Sequence, residues 1–425
     1  MRYERFMRRS LVPLITSRIM PYCGITLLLA LVAHKHASDL ALISYVLAIF
    51  SVVAVMLSMS LGATGNLIAE HSDDDQEKTH LFRGGFSVSL VMAVVSLLIG
   101  FVILELIADL PGAQMNIDKV HSLAVIYLGA IPLLVINTFL HFFHEANGHA
   151  RVCSIIRLGV TMCSGLYVGL ASFAAGVENF IYWAMGYFLF GEALLLLCLL
   201  WLSWKRNFDF CPMYCKRTVR NVIRLGFPIA FGLAGQKLYF YLLNERLAAE
   251  ASALVAQLSV YMSVVGLFMI PVVAYCQAHS LYVSRHVEQR LTSYGKGQLG
   301  LLMLIVLLLC ALLVVGHSLF FWLGEKIVTF SRDAFISVGY LLVSSSVLSL
   351  STSHLRGLRD TLAPQLMMNL VMLSVLVPII YFVSSEAADI HFYLRLQSAG
   401  LFTGFILLQL RIWHMHVKTV KPATV

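Results

Sequence analysis

Charge is what this chain has least of. Asp, Glu, Lys and Arg make up 12% of its 425 residues, against roughly 25% in soluble domains. With 59% hydrophobic residues and a mean hydropathy of +0.84, this excludes a soluble globular enzyme and a disordered chain. Its eight cysteines show no framework spacing, which excludes a disulfide scaffold. Cys211 and Cys215 form a C-x3-C pair in a basic loop with no second ligand pair, so no zinc site is expected. There is no G-x-S-x-G, no H-E-x-x-H and no P-loop. Nothing therefore points to a hydrolase, a zinc protease or a built-in ATPase, and the chain is not expected to be an enzyme. The net charge of +8 is read as Lys and Arg in cytoplasmic loops rather than as a nucleic-acid footprint.

Long apolar runs are what the chain has most of. A hydrocarbon core about 30 Å thick requires about 20 apolar residues per helix. Twelve runs meet that length, at 11–33, 40–62, 84–106, 121–143, 152–175, 180–204, 222–243, 253–276, 298–323, 335–352, 362–384 and 393–416. They are continuous rather than alternating, so helices and not barrel strands must span. The first run is full-length and lacks a small-residue cleavage site, which reads as a retained helix. Of the 30 Lys and Arg, 22 fall at the termini and even-numbered connections, six on the other side, and Arg18 and Lys237 inside runs. The positive-inside rule then places both termini in the cytoplasm of an inner-membrane, multi-pass protein. Asn116 and Glu386 are expected outside.

A shift of 215 residues brings six runs into register and lands Pro13 on Pro228. The expected fold is all-α: about twelve transmembrane helices in two six-helix bundles related by a parallel pseudo-twofold repeat. The bundles are assigned to 1–204 and 222–425, with a cytoplasmic linker at 205–221. Parallel repeats with equal helix numbers are a transporter architecture, with substrate held where the repeats meet.

Three segments of the second half are specific. Leu225-Gly226-Phe227-Pro228-Ile229-Ala230 opens the seventh run, Gly266-Leu267-Phe268-Met269-Ile270-Pro271 lies in the eighth, and Leu355-Arg356-Gly357-Leu358-Arg359-Asp360-Thr361 follows the tenth. Fainter counterparts are Pro13, Tyr127 to Pro132, and Ala146-Asn147-Gly148. Together they resemble the multidrug and toxic compound extrusion (MATE) family of the MOP flippase superfamily, as a divergent member. The resemblance implies alternating access and exchange of an organic substrate for Na⁺ or H⁺. It also implies three acids that are missing here. Their places read Leu27-Leu28-Leu29, Gln236 and Ser344-Ser345-Ser346, so the family's usual ion site does not carry over. A sibling family in the same superfamily flips lipid-linked sugars and is the alternative.

Charged side chains inside a span are costly and mark function by default. Lys237 lies deep in the seventh run beside Gln236, Tyr239 and Tyr241. Arg18 is close enough to one end of its run to snorkel to headgroups. Matched in the two repeats, Arg18 and Lys237 would favour an anionic or zwitterionic substrate. Glu192 is the one carboxylate deep in an apolar run; there a carboxylate can trade its charge for a proton, as a proton carrier must. His141, His144 and Glu145 read as a solvated helix end. Ser345 belongs to a serine-rich tenth run that either packs closely or lines a wet pathway. Pro13, Pro228 and Pro271 are candidate points of bending. The expected function is export of a small molecule by proton-coupled antiport, with Na⁺ as the alternative ion, no cofactor, a lipid bilayer as surroundings and a monomeric state. The alternatives are a lipid-linked saccharide flippase and, from another class, a membrane-embedded enzyme.

Overall fold

A computed structural model describes residues 3–35, 37–71, 74–107, 117–174, 179–250, 252–324, 328–382 and 389–420. Asn116 and Glu386 lie outside these. Among the described residues all regular structure is helical and no strand occurs, as a chain whose backbone must satisfy itself in lipid requires. The helices are α1 (Tyr3–Lys35), α2 (Ala37–Ser60), α3 (Thr64–Glu70), α4 (Asp75–Ile107), α5 (Ile117–His144), α6 (Ala150–Ala174) and α7 (Phe180–Lys205). Then come α8 (Lys216–Glu250), α9 (Ser252–Arg285), α10 (Arg290–Gly324), α11 (Arg332–Gly357), α12 (Leu362–Asn369), α13 (Val377–Phe382) and α14 (Ile390–Val420).

Each of the twelve expected spans falls on helix over its described residues. Nine segments among those residues are long and apolar enough to cross a bilayer. One of them, Asp118–Ala174, holds both α5 and α6. Helices α8 and α14 are outside the nine, being diluted by Gln236 and Lys237 and by Arg395, Gln397, Gln409 and Arg411. Helix starts are fixed by short acceptors: Asp74 Oδ1 takes the Gln76 and Glu77 N–H groups at 3.0 Å, and Ser331 Oγ takes that of Ala334 at 3.1 Å.

Two compact units result, one of Val12–Ala230 and one of Met1–Leu11 with Phe231–Val425. Both divisions fall inside a helix, α1 and α8. The segment 205–221 lies within the first unit, where Phe208 and Phe210 pack on Phe82 of α4. In that unit the core joins α2, α5 and α7 through Ile43, Phe50, Leu123, Ile131, Ile181 and Met185, all sequestered from solvent. In the other, α11 packs between α9 and α14, with α10 alongside. Helices α2, α4 and α5 begin at 37, 75 and 117, and α9, α10 and α11 begin 215 residues later, at 252, 290 and 332. The repeat is thus carried by helix starts as well as by apolar runs.

The segments that carry the resemblance do structural work. A side chain at Gly226 would run into the backbone carbonyl of Ser60, so only glycine lets these two segments meet. Gly357 likewise approaches the Ser280 carbonyl, and Ser284 Oγ donates to the Gly357 carbonyl at 3.2 Å. In the turn that follows, Arg359 takes a positive φ of 65° and Asp360 receives Arg411 Nε of α14 at 2.8 Å. Helices α1, α8 and α9 continue through Pro13, Pro228 and Pro271. Departures from α geometry occur elsewhere, in two π-helical turns at Glu145–His149 and Leu370–Leu376. The second ends just before Pro378, whose ring and missing N–H disrupt the preceding turn.

Candidate functional site

The buried serines of α11 show why this helix is central. Ser344, Ser346 and Ser351 donate to carbonyls four residues back at 2.6–2.9 Å, leaving a slim surface for neighbours. Ser345 is half-buried.

Polar chemistry concentrates in the unit Val12–Ala230, in two places. The first is built by the π-helical turn after α5. Gly148 there takes a φ of 87°, which folds Glu145 inward. Its carboxylate is wholly sequestered and accepts from Ser17 Oγ at 3.1 Å and His141 Nε2 at 3.0 Å. Arg18 Nη2 lies 3.7 Å from the other oxygen, Oε2, while Arg18 Nη1 donates to the Leu14 carbonyl at 2.8 Å. Arg18 therefore turns into the protein and does not snorkel. His144 is fully buried with Nε2 2.7 Å from Ser203 Oγ. Because Ser203 Oγ donates to the Leu199 carbonyl, the histidine is the donor in that pair. The solvated helix end expected for His141, His144 and Glu145 is thus corrected: all three are buried. A hydropathy profile registers only that an apolar run ends there, not that the chain doubles back and covers it.

The second place is centred on Glu192 of α7. Asn137, fully buried on α5, donates through Nδ2 to both the carbonyl and the Oε2 of Glu192, at 2.8 and 2.7 Å. Tyr127 and Tyr187 lie in the field of the same carboxylate. Beside it is a small cavity of about 70 Å³ between α1, α6 and α7, whose polar lining is Arg157, Thr161, Ser164, Tyr187 and Glu192. Arg157 and Ser164 lie on the inward stripe of α6 with Cys153, Val160, Val168 and Ala171, at helical spacing. The sequence reading overlooks Arg157 and counts it with a cytoplasmic connection, because it stands five residues inside its run. That stripe was the available signal.

In the unit of Phe231–Val425, the α8 candidates diverge. Lys237 and Tyr241 are exposed on one face, Gln236 is half-buried, and Tyr239 is fully buried. The structure does not gather them into one cluster. A different polar group forms in this unit: Tyr3 Oη lies 3.0 Å from His279 Nδ1, and His279 Nε2 lies 3.1 Å from His354 Nδ1, all buried. Tyr294, whose ring lies 4.5 Å from that of His354, hydrogen-bonds Ser351 at 3.0 Å, and Gln409 donates to Ser351 at 3.0 Å. Among the described residues no group of three or more His, Cys, Asp or Glu side chains is placed to hold a metal ion.

No family model and no curated protein matches this sequence. Solved structures do. An outward-facing multidrug resistance MATE family transporter of the MOP superfamily gives a TM-score of 0.83 at 16% identity, covering 99% of this chain and 97% of the other. A MATE structure in the bent conformation gives 0.81 at 14% identity, again over 99% and 97%. A MOP superfamily transporter from Pyrococcus furiosus Vc1 (DSM3638), described as having a binding pocket of reverse polarity that suggests a different function, gives 0.79 at 15% identity over 96% of each chain. The chain has the all-α membrane fold of the MATE transporters of the MOP superfamily.

Proposed function

We propose that this protein is a secondary active transporter that moves a small organic molecule out of the cytoplasm by alternating access, in exchange for protons. The observation that carries the reading is Glu192. It is a half-buried carboxylate within one unit, oriented by a buried asparagine and bordering a polar cavity. A group so placed can hold either a proton or a cationic part of a substrate, and that exclusion is what antiport needs. The three acids that the MATE resemblance implies are absent from their positions. One structural neighbour is described by the reversed polarity of its pocket, and its example supports a cargo other than the lipophilic cations of multidrug export.

Pyranine-loaded proteoliposomes challenged with panels of cations, anions and zwitterions test this. The wild type should move protons against at least one class, and Glu192→Gln should move them against none while eluting as a folded monomer. Uptake driven by a Na⁺ gradient alone, or normal transport by Glu192→Gln, overturns the assignment. Translocation of a lipid-linked saccharide is the second reading, favoured by an apolar groove of about 450 Å³ between α1 and α6. Proton-independent flipping of a fluorescent short-chain polyprenyl saccharide would decide for it.

A further inference from the structure

We propose that the cavity beside Glu192 recognises the head of an amphipathic zwitterion, with a carboxylate seated on Arg157, an ammonium on Glu192 and an apolar tail in the groove between α1 and α6. This rests on the transporter reading and names the cargo class of that same site.

Arg157 is the first reason. Its Nε is buried without a hydrogen-bond partner, and it forms no ion pair among the described residues. Ser164 Oγ, in a residue only 1% exposed, is also unpartnered, and both side chains line the cavity. Buried donors are ordinarily satisfied, so a guanidinium and a hydroxyl left open at one cavity specify an anionic acceptor. Arg18, by contrast, is answered by Glu145. Guanidinium matches carboxylate geometry by two parallel hydrogen bonds.

Glu192 supplies the opposite sign. Asn137 holds its Oε2, which leaves Oε1 to accept from a ligand ammonium. A simple anion would meet Glu192 as a like charge, and a simple cation would meet Arg157. A ligand bearing both charges satisfies each. A volume of about 70 Å³ has room for about two water molecules, or for one compact head carrying both groups, and not for a planar aromatic cation.

The groove is the third reason. Its volume of about 450 Å³ is bounded by Met20, Leu27, Leu28, Leu158 and Met162, and it shares Thr161 and Tyr187 with the polar cavity. Ligand sites commonly enclose about 300–1,000 Å³. The charged cavity and the apolar groove thus adjoin at Thr161 and Tyr187, all within one unit. Proton and ammonium would compete for the same Glu192 carboxylate, which ties the cargo class to antiport. The other charged and polar groups facing that carboxylate are Arg157, Asn137, Ser164, Tyr127 and Tyr187.

Calorimetric titration of the full chain in maltoside micelles tests the site with three probes of one tail length: L-2-aminooctanoic acid, octanoate and octylamine. The wild type should bind the zwitterion at least tenfold more tightly than either partial analogue. Arg157→Gln should weaken zwitterion and octanoate tenfold or more and tighten octylamine, from which it removes a like charge. Glu192→Gln should weaken zwitterion and octylamine and tighten octanoate, from which it removes a like charge. A side chain at Gly165 meets open groove, so Gly165→Leu should fold normally and erase the gain in affinity from L-alanine to L-2-aminooctanoic acid. Equal binding of all three probes by the wild type, or unchanged zwitterion binding by Arg157→Gln, overturns the proposal. Zwitterion binding that no gradient can convert to transport would instead defeat the transporter reading and leave the site standing. Proton-coupled transport of another solute, with no zwitterion binding, would defeat the site alone.

Discussion

The Arg18–Glu145 pair separates two roles that one buried arginine could play. Glu145 is wholly sequestered, and its oxygens are shared among Ser17, His141 and Arg18. Breaking a buried pair from one side strands the other charge, at a cost of about 3–5 kcal/mol, whereas replacing both partners is often neutral. Arg18→Met should therefore lower the unfolding temperature of the detergent-solubilised protein markedly, and Arg18→Met with Glu145→Gln should recover most of the loss. If the double variant is no more stable than the single one, the pair is not what holds α1 against the π-helical turn. Arg157 should behave oppositely: with no partner to strand, Arg157→Gln should leave stability unchanged or raised. Sequence reading found both Arg18 and Glu192 as charges inside apolar runs, because burial of charge is rare enough to stand out. It passed over Arg157 and misjudged Glu145, because position along a run measures depth in a bilayer and not which way a side chain turns.

Elements were far more legible than contacts. A span must be about 20 residues long and apolar, so composition alone locates every helix but the short α3, and even the repeat at 215 residues reappears in the starts of α9, α10 and α11. What composition does not register is a local change of winding. Neither π-helical turn alters hydropathy, yet one of them creates the Glu145 site. The motif glycines were legible as motif and illegible as mechanism, since their role is to admit another backbone. Gly226→Val should push α8 away from the Ser60 carbonyl and abolish a monodisperse elution profile, while Gly159→Val, where a side chain meets open space, should not. Gly148→Ala should cost about 1 kcal/mol through its φ of 87°, read as a small fall in unfolding temperature. A Gly226→Val protein as stable as wild type would mean that the close approach is dispensable.

Across the whole molecule the charge pattern makes two demands. The excess of Lys and Arg at the termini and even-numbered connections predicts both termini inside. Cysteines introduced at Asn116 and Glu386 should accordingly react with a membrane-impermeant maleimide on intact cells, and one at Asp209 should not; the reverse pattern inverts the orientation. The second demand concerns cargo. Lipophilic cations need an unanswered carboxylate, and this chain offers few: the family positions hold Leu28, Gln236 and Ser345, and Glu145 is engaged by Arg18 and His141. Arg157 and the exposed Lys237 add positive charge instead. Two like charges 4 Å apart repel by about 4 kcal/mol at an effective dielectric constant near 20, close to a thousandfold in affinity. Expression in an efflux-deficient host should therefore confer no resistance to ethidium. Arg157→Ala should be the substitution that begins to admit it, by removing the repulsion while Glu192 remains. Strong ethidium resistance from the wild type, unaltered by Arg157→Ala or Lys237→Ala, would show that charge at these two residues does not select the cargo.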